Sequence, residues 1–560
     1  MKPLPIIQRL SAVLFVAVTA LSPVILPVAA QAQNPVVKSV TNGAGNVLAD
    51  LPSSGIAQGS LFAVKGSGLG PAVIVVAATF PLSTSIANTS IKVSVGGVTR
   101  DAIMYYSSAI QVAAILPSSV PAGHGTLTVT YNGATSASFP INVVKTTIGV
   151  FSLNTSGGGD AIATLGSGFV TPLNAANPGD IVAFWATGLG PVSGDETQPA
   201  QQFDMTDIPV QAWIGGKPAD VLFRGRNACC SGVDTIYLRV PQGASGCVTP
   251  VVFQTGDNVS NTTTIPVAGT GRVCAPSTPG LTASDVQRLF SKTTFSLGAV
   301  SIFRGNNMAV PTVVDGASGT FARTTPFPGG WGATNWDLVP PGSCVVDTGT
   351  AFNGAFLTFQ WLDSGAALTV SGAGGSRTVP RLPTPIVQNF GAQNYLGVLD
   401  FPGVYVIPGQ FTISGPGTSD VGAFTATMNY PQPVLQWTNQ DAVTSIDRSQ
   451  GTTVTWTGGD PNGYVQIYGF STAASNQSAG SSFVCTARTS DQRFTVPAHV
   501  TLAMAPGTPS VPAAIWPSSL WVLGFSAPTF FQAQGLDLGI VSQWSNNART
   551  LTYTGSAGIP

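Results

Sequence analysis

Two stretches of this chain repeat one strand-and-corner pattern about 120 residues apart. GSLFAVKGSGLGPA (Gly59 to Ala72) aligns with GDIVAFWATGLGPV (Gly179 to Val192), and in both an apolar run ends at a Gly-Leu-Gly-Pro corner. Downstream, IKVSVGGVTRDAIMYY (Ile91 to Tyr106) aligns with VQAWIGGKPADVLFR (Val210 to Arg224): a strand, a Gly-Gly turn and a second strand. IQVAAILP (Ile110 to Pro117) then aligns with IYLRVP (Ile236 to Pro241). The period is too long for a solenoid unit. It fits two complete sandwich domains of roughly 100 residues each.

Local patterning agrees. In TLTVTYNG, Leu127, Val129 and Tyr131 share one face and Thr126, Thr128 and Thr130 the other. Asn132-Gly133 then supplies the positive-φ residues of a tight hairpin. Only 8% of the 560 residues are charged, against roughly 25% in a typical soluble domain. Glutamate occurs once, at Glu196, and lysine seven times. A chain so poor in these residues lacks the usual surface helix formers. The fold class expected is therefore all-β, with tandem immunoglobulin-like β-sandwiches in several domains. A net charge of −1 excludes the basic excess of a nucleic-acid binder.

The first residues read as a signal peptide. Lys2 and Arg9 form a basic region, Leu10 to Leu21 an apolar one, and Ala30-Gln31-Ala32 a small-x-small cleavage pattern. Pro23 and Pro27 interrupt the apolar span, which argues against an uncleaved anchor. The expected organisation is a signal peptide over 1–32, a first sandwich over 33–147 and a second over 148–276. A β-rich domain over 277–430 and a sandwich-like domain over 431–560 follow, with the boundary near Pro431 to Pro433. No integral membrane segment is expected in the mature chain. The segment TASDVQRLF (Thr282 to Phe290) reads as one short helix capped by Ser284 or Asp285. TTVTWTGGDPNGYVQIYG (Thr452 to Gly469) reads as a hairpin turning at Asp460 to Gly463.

Six cysteines, Cys229, Cys230, Cys247, Cys274, Cys344 and Cys485, fit an exported disulfide protein. Their distribution suggests two bridges within the first four and a Cys344–Cys485 bridge. Cys229 and Cys230 are expected to pair outward, with Cys247 and Cys274, rather than with each other. Zinc is disfavoured, because no C-x-x-C occurs.

From about Asn34 to Cys274 the chain resembles a paired module of exported Acidobacteria proteins, the Solibacter-type uncharacterised C-terminal domain family. The two Gly-Leu-Gly-Pro corners, the Gly-Gly hairpins, CCSGVDTIYLRVP (Cys229 to Pro241) and GCVTPVVFQTGDNVSNTTTIPV (Gly246 to Val267) carry the likeness. Each half also resembles IPT/TIG-type immunoglobulin-like domains, and the region from about Gly280 onward resembles a β-rich companion of such proteins. The resemblance implies an exported, immunoglobulin-like architecture and brings no catalytic residues.

Catalytic templates fail in the residues themselves. There is no G-x-S-x-G elbow, no H-E-x-x-H and no P-loop. With one Glu, a paired-Glu glycosidase is impossible, although paired Asp is not excluded. The two histidines, His124 and His499, read as solvated. No catalytic residue and no cofactor is assigned. An acidic cluster, Asp195, Glu196, Asp204 and Asp207, offers oxygens to a Ca²⁺ ion, with a solvated loop as the plainer reading. Phe327, Trp331 and Trp336 in a Gly-rich loop are the candidate ligand-binding aromatics, against a loop that plugs a sandwich end. Trp185, Trp213 and Trp456 lie on predicted strands and read as core. The expected function is a secreted or cell-surface β protein of structural, adhesive or binding type. Alternatives are a carbohydrate-binding protein using the aromatic loop and an extracellular hydrolase with an Asp-based site. Expected partners are envelope components, glycans or other extracellular proteins, met through a sandwich edge or end, and no nucleic acid.

Overall fold

The computed structural model describes residues 34–199, 203–307, 310–324, 337–350, 360–388, 391–474, 478–507 and 517–555. Residues 1–32, read above as a signal peptide, lie outside them. The regular structure of the described residues is almost wholly strand, and the repeat seen in the sequence reappears in the central strands of two sandwiches.

In the first sandwich one sheet runs Val36–Asn42, Leu61–Ser67, Gln111–Ile115, Ile103–Ser107, Val75–Val76. The facing sheet runs Ile56–Ala57, Phe139–Val144, Gly123–Tyr131, Thr89–Val95, Val98–Asp101. The second sandwich repeats this order. Ile181–Thr187 pairs with Asp234–Arg239 and that with Asp220–Arg226, while Gln211–Ile214 pairs with Gly246–Thr255. Both Gly-Gly pairs make the two-residue turns expected, with φ of +55° and +80° at Gly96 and Gly97 and +62° and +73° at Gly215 and Gly216. Asn132 and Gly133 turn their hairpin in the same way. The Gly-Leu-Gly corner is fixed by close approach. Gly188 has φ +107°, and a Cβ there would lie 1.9 Å from the Thr147 carbonyl oxygen. Leu69 and Leu189, the middle residues of the two corners, are fully buried plugs. Each sandwich closes its own apolar core, around Phe62, Val93 and Leu127 in the first and Phe184, Phe253 and Leu238 in the second.

One short helix, Ala283–Phe290, follows the sandwiches. Its N-cap is Thr282, in a capping box with Asp285, and not Ser284 or Asp285. The Thr282 hydroxyl can reach the Asp285 N–H while the Asp285 carboxylate reaches back, which satisfies two otherwise orphaned donors.

Beyond the helix, the described residues form one long sheet of fourteen strands and two small ones. The expected boundary at Pro431 to Pro433 does not separate two domains along the chain. Phe295–Asn307 pairs in parallel with Leu538–Thr550, from Leu297 opposite Leu538 to Gly305 opposite Asn546. The strand Ser343–Thr350 leaves its sequence neighbours and pairs with Ala479–Arg488. Two of the apolar cores on this sheet cross the boundary. One, around Phe321, Phe411 and Tyr395, takes in Phe531 and Val541 from the C-terminal region. The other, around Trp456, Ile467 and Phe483, takes in Cys344 and Val346 from the middle region. Each core thus borrows strands from the other side of the boundary, because a hydrogen-bonded edge is satisfied by whichever strand fits, not by the nearest in sequence.

The expected hairpin over Thr452 to Gly469 is not one. Thr452–Thr457 pairs with Gln436–Trp437 and Arg493–Val496, whereas Tyr464–Thr472 pairs with Ala479–Arg488 and Ser519–Phe525. The segment Asp460 to Gly463 is a corner between two sheets. The Asp460 carboxylate accepts from Asn462 N–H at 3.0 Å and from Ala527 N–H at 3.1 Å, which ties the corner to a distant strand end. Val454, Trp456, Val465 and Ile467 then share one core from opposite sides. No helix among the described residues is long and apolar enough to cross a membrane.

Candidate functional site

Three of the four acidic residues take separate hydrogen-bond partners. Glu196 accepts from Ser118 N–H and Ser118 Oγ, each at 2.8 Å, and so links the loop of the second sandwich to the first. Asp195 is exposed and accepts from Thr197 N–H and Oγ1, and these hydrogen bonds hold its carboxyl below the usual carboxylate range. Asp204 accepts from Arg224 N–H at 3.1 Å, and Asp207 is exposed. Among the described residues no three His, Cys, Asp or Glu side chains are grouped to hold a metal. Within this loop the one glutamate acts as a clasp between the sandwiches.

That clasp belongs to a polar junction between the two sandwiches. Arg226 and Asp234 form a fully buried ion pair. Arg226 Nη2 also donates to the Gly59 and Gly190 carbonyls, at 2.7 Å each, one from each sandwich. Asp234 Oδ2 accepts from Leu189 N–H at 2.8 Å. Thr187 Oγ1 accepts from Leu61 N–H and donates to the Gly232 carbonyl. A buried charge survives in such a place only with its partner and hydrogen bonds in hand. Trp185 packs here too, beside Leu61, Ile103 and Val233, at the junction and not in the core of its own sandwich.

The cysteine pairing corrects the sequence expectation. Cys229 bonds to Cys230, Cys247 to Cys274 and Cys344 to Cys485. The outward pairing expected for Cys229 and Cys230 is not formed. Cys247 is spent on Cys274, with which it shares a buried apolar cluster, while Cys229 and Cys230 sit in a turn over the junction. Cys344 and Cys485 are directly opposed across two paired strands.

His124 is exposed on the strand Gly123–Tyr131. His499 is not solvated: it lies in the turn of helix Ala498–Thr501, is 8% exposed and stacks on Trp213 at 4.3 Å. Burial lowers its pKa to about 4, so the ring is a neutral spacer between the second sandwich and the large sheet. Trp456 is fully buried and donates its indole N–H to the Thr489 carbonyl. Phe327, Trp331 and Trp336 lie outside the described residues.

Two surface features were not found from the sequence. One is an open groove of about 690 Å³ where the Gly215–Gly216 turn meets the large sheet. Its walls include Pro276, Pro279, Pro340 and Pro341, with Tyr464 stacked on Phe525 at 5.0 Å. The second is an apolar sheet edge. Val73 and Ile74 are 77% and 54% exposed, and the edge strand Val75–Val76 that follows is exposed as well. Its signal was present in the run AVIVV, which had no polar alternation and no charge.

No family model matches the chain, and no curated protein matches it. Among solved structures the chain is similar to domains 5–6 of the S-layer protein SbsC, at 16% identity over 42% of this chain and 100% of that one, with a TM-score of 0.15. It is similar to the Bacteroides ovatus mixed-linkage glucan utilization locus protein SGBP-B, solved with a mixed-linkage heptasaccharide. The identity is 10% over 76% of this chain and 90% of that one, with a TM-score of 0.13. Immunoglobulin domains 1–4 of Sidekick-1 give 9% identity over 87% and 95%, with a TM-score of 0.12. Likenesses this slight transfer no residue role and no ligand.

Proposed function

We propose that the mature chain is a non-catalytic, extracellular β scaffold that binds envelope components or glycans. The observation that carries this reading is where the scarce charges go. Arg226, Asp234 and Glu196 lock one sandwich to the next, while Asp337 pins the linker beyond them: it accepts from Thr278 N–H at 2.8 Å. Residues that could have formed a reaction centre are used as joints. Three disulfides suit an oxidising compartment, and the first 32 residues are read as the exported chain's signal peptide, cleaved near Ala32. The Acidobacteria-type resemblance of the paired sandwiches supports the same placement.

The test is retention. Purified mature chain is mixed with isolated cell-envelope material and with insoluble polysaccharides, then sedimented. Retention on at least one is expected, and complete recovery in every supernatant overturns the reading. Loss of glycan retention in Trp336→Ala would put the binding on the Phe327, Trp331 and Trp336 loop.

A further inference from the structure

We propose that the groove between the second sandwich and the large sheet is a binding site for an acidic sugar oligomer, bearing carboxylate or sulfate groups. The inference deepens the binding function proposed above and rests on it. The groove is preformed. On one side, the Cys247–Cys274 bridge and the buried Asp337, which accepts from Thr278 N–H and from Cys247 N–H, fix the proline-rich segment that follows Cys274. At its end, Gly216 approaches so closely that a Cβ would lie 2.2 Å from the Gly342 carbonyl oxygen. A rigid wall loses little conformational entropy when a ligand settles against it.

The charge in the groove has one sign. Lys217 and Arg488 both line it, both are exposed, and the lining contains no Asp or Glu. Neither side chain forms an ion pair among the described residues. The carboxylate of Asp491 meets the main-chain N–H of Arg488, at 3.0 Å. The whole chain has 22 Lys and Arg in 560 residues, so two unpaired cations facing one cavity are a concentrated feature. Arg offers a planar fork to a carboxylate or sulfate, and Lys a point charge. Ser245, Ser277 and Asn462 add hydroxyl and amide groups of the kind that meet sugar hydroxyls.

A peptide strand is the less suitable occupant. The sheet edge that reaches the groove is Lys217–Pro218, and Pro218 has no N–H to offer an added strand. Two of the groove's glycine donors are also spent: Gly215 N–H goes to the Pro250 carbonyl and Gly463 N–H to that of Asp460. Recognition falls mainly to side chains.

The experiment is calorimetric titration of the full mature chain with four probes: an oligogalacturonate hexamer, a sulfated heparin-derived hexamer, neutral cellohexaose and hexaglutamate. The same titrations are run on Lys217→Ala and Arg488→Ala. These exposed positions leave the fold intact, which matching melting curves verify. We expect binding of one or both acidic sugars, weakened about tenfold or more in each variant and weakened by salt. Binding of hexaglutamate as tight as that of the sugars overturns the sugar assignment. Acidic-sugar binding that both variants leave unchanged overturns the groove but leaves the binding function standing. If no probe binds while the chain is still retained on envelope material, the groove assignment fails alone. If nothing is retained anywhere, both fail.

Discussion

At the scale of single residues, the chain places several ionisable groups where burial changes their behaviour. Asp160 shows the effect most cleanly. It is 7% exposed, its one side-chain partner is Thr264 Oγ1 at 2.7 Å, and burial raises its pKa to about 7. The ordinary carboxyl titrates near 3.8. Between these values the folded chain keeps a proton that the unfolded chain releases. Stability contributed by this group is therefore full below the ordinary value and declines as pH rises towards 7. Asp160→Asn keeps the shape and removes the titration. The variant should match the parent near pH 4 and exceed it at pH 8, by a few kcal/mol at most at about 1.4 kcal/mol per unit. Urea unfolding at both values reads the difference, and a gap that does not widen with pH contradicts it. His499 runs the other way, because its lowered pKa makes neutrality the stable form. The fate of His499 could not be read from VPAHVT, since its partner Trp213 lies far away in sequence. Asp160 was equally hidden, because nothing in SGGGDAI says that Thr264 will close over it.

At the scale of elements, alternation and turn chemistry were legible, while partner choice was not. Phe424–Tyr430 buries Phe424, Ala426, Met428 and Tyr430 and exposes the residues between, as period-2 reading requires. The Gly-Gly turns of both sandwiches were equally readable, because only such residues relax into two consecutive positive-φ positions. The corner at Asp460 to Gly463 defeated the same logic. Two alternating strands around a turn look identical whether they pair or face each other across a core. The vicinal Cys229–Cys230 bond was missed for a related reason: spacing alone does not say which loop a bridge stiffens. Edge protection is the element-scale property with a measurable consequence. Most edges need charge, proline or cover, yet Val75–Val76 carries none of these and adjoins exposed Val73 and Ile74. The mature chain should therefore associate through this edge at high concentration. Val75→Lys, which places a charge on the exposed edge, should shift sedimentation towards monomer without changing the melting temperature by more than a few degrees. A parent chain that stays monomeric at millimolar concentration rules the edge out as a contact.

At the scale of the whole molecule, the middle and C-terminal regions fold as one unit because their strands are exchanged. The segment Pro431 to Pro433 read as a boundary between two domains. Yet the sheet passes through the pairing of Phe295–Asn307 with Leu538–Thr550. A parallel partner normally announces itself by a nearby crossover helix of several turns, and the one α-helix between these two strands in the described residues, Ala498–Thr501, is four residues long, so nothing local marked it. The Ser343–Thr350 strand, bridged through Cys344 to Cys485, locks the exchange from the other side. This has a direct consequence for dissection. A fragment of residues 277–430 lacks the partner of Phe295–Asn307 and leaves Cys344 without Cys485, and its core around Phe321 loses Phe531 and Val541. It should remain unfolded or aggregate, with no cooperative thermal transition and rapid proteolysis. The fragment 34–276 keeps both sandwiches, the Arg226–Asp234 pair and two of the three disulfides. It should melt cooperatively, though below the full chain, since Val252 and Val259 lose the core they share with Trp456. Adding residues 431–560 in trans to the 277–430 fragment should restore a transition, because the missing strands need not be covalently contiguous to complete the sheet. A cooperative melt of 277–430 by itself would show that the exchanged strands are dispensable and that the boundary near Pro431 divides two independent domains after all.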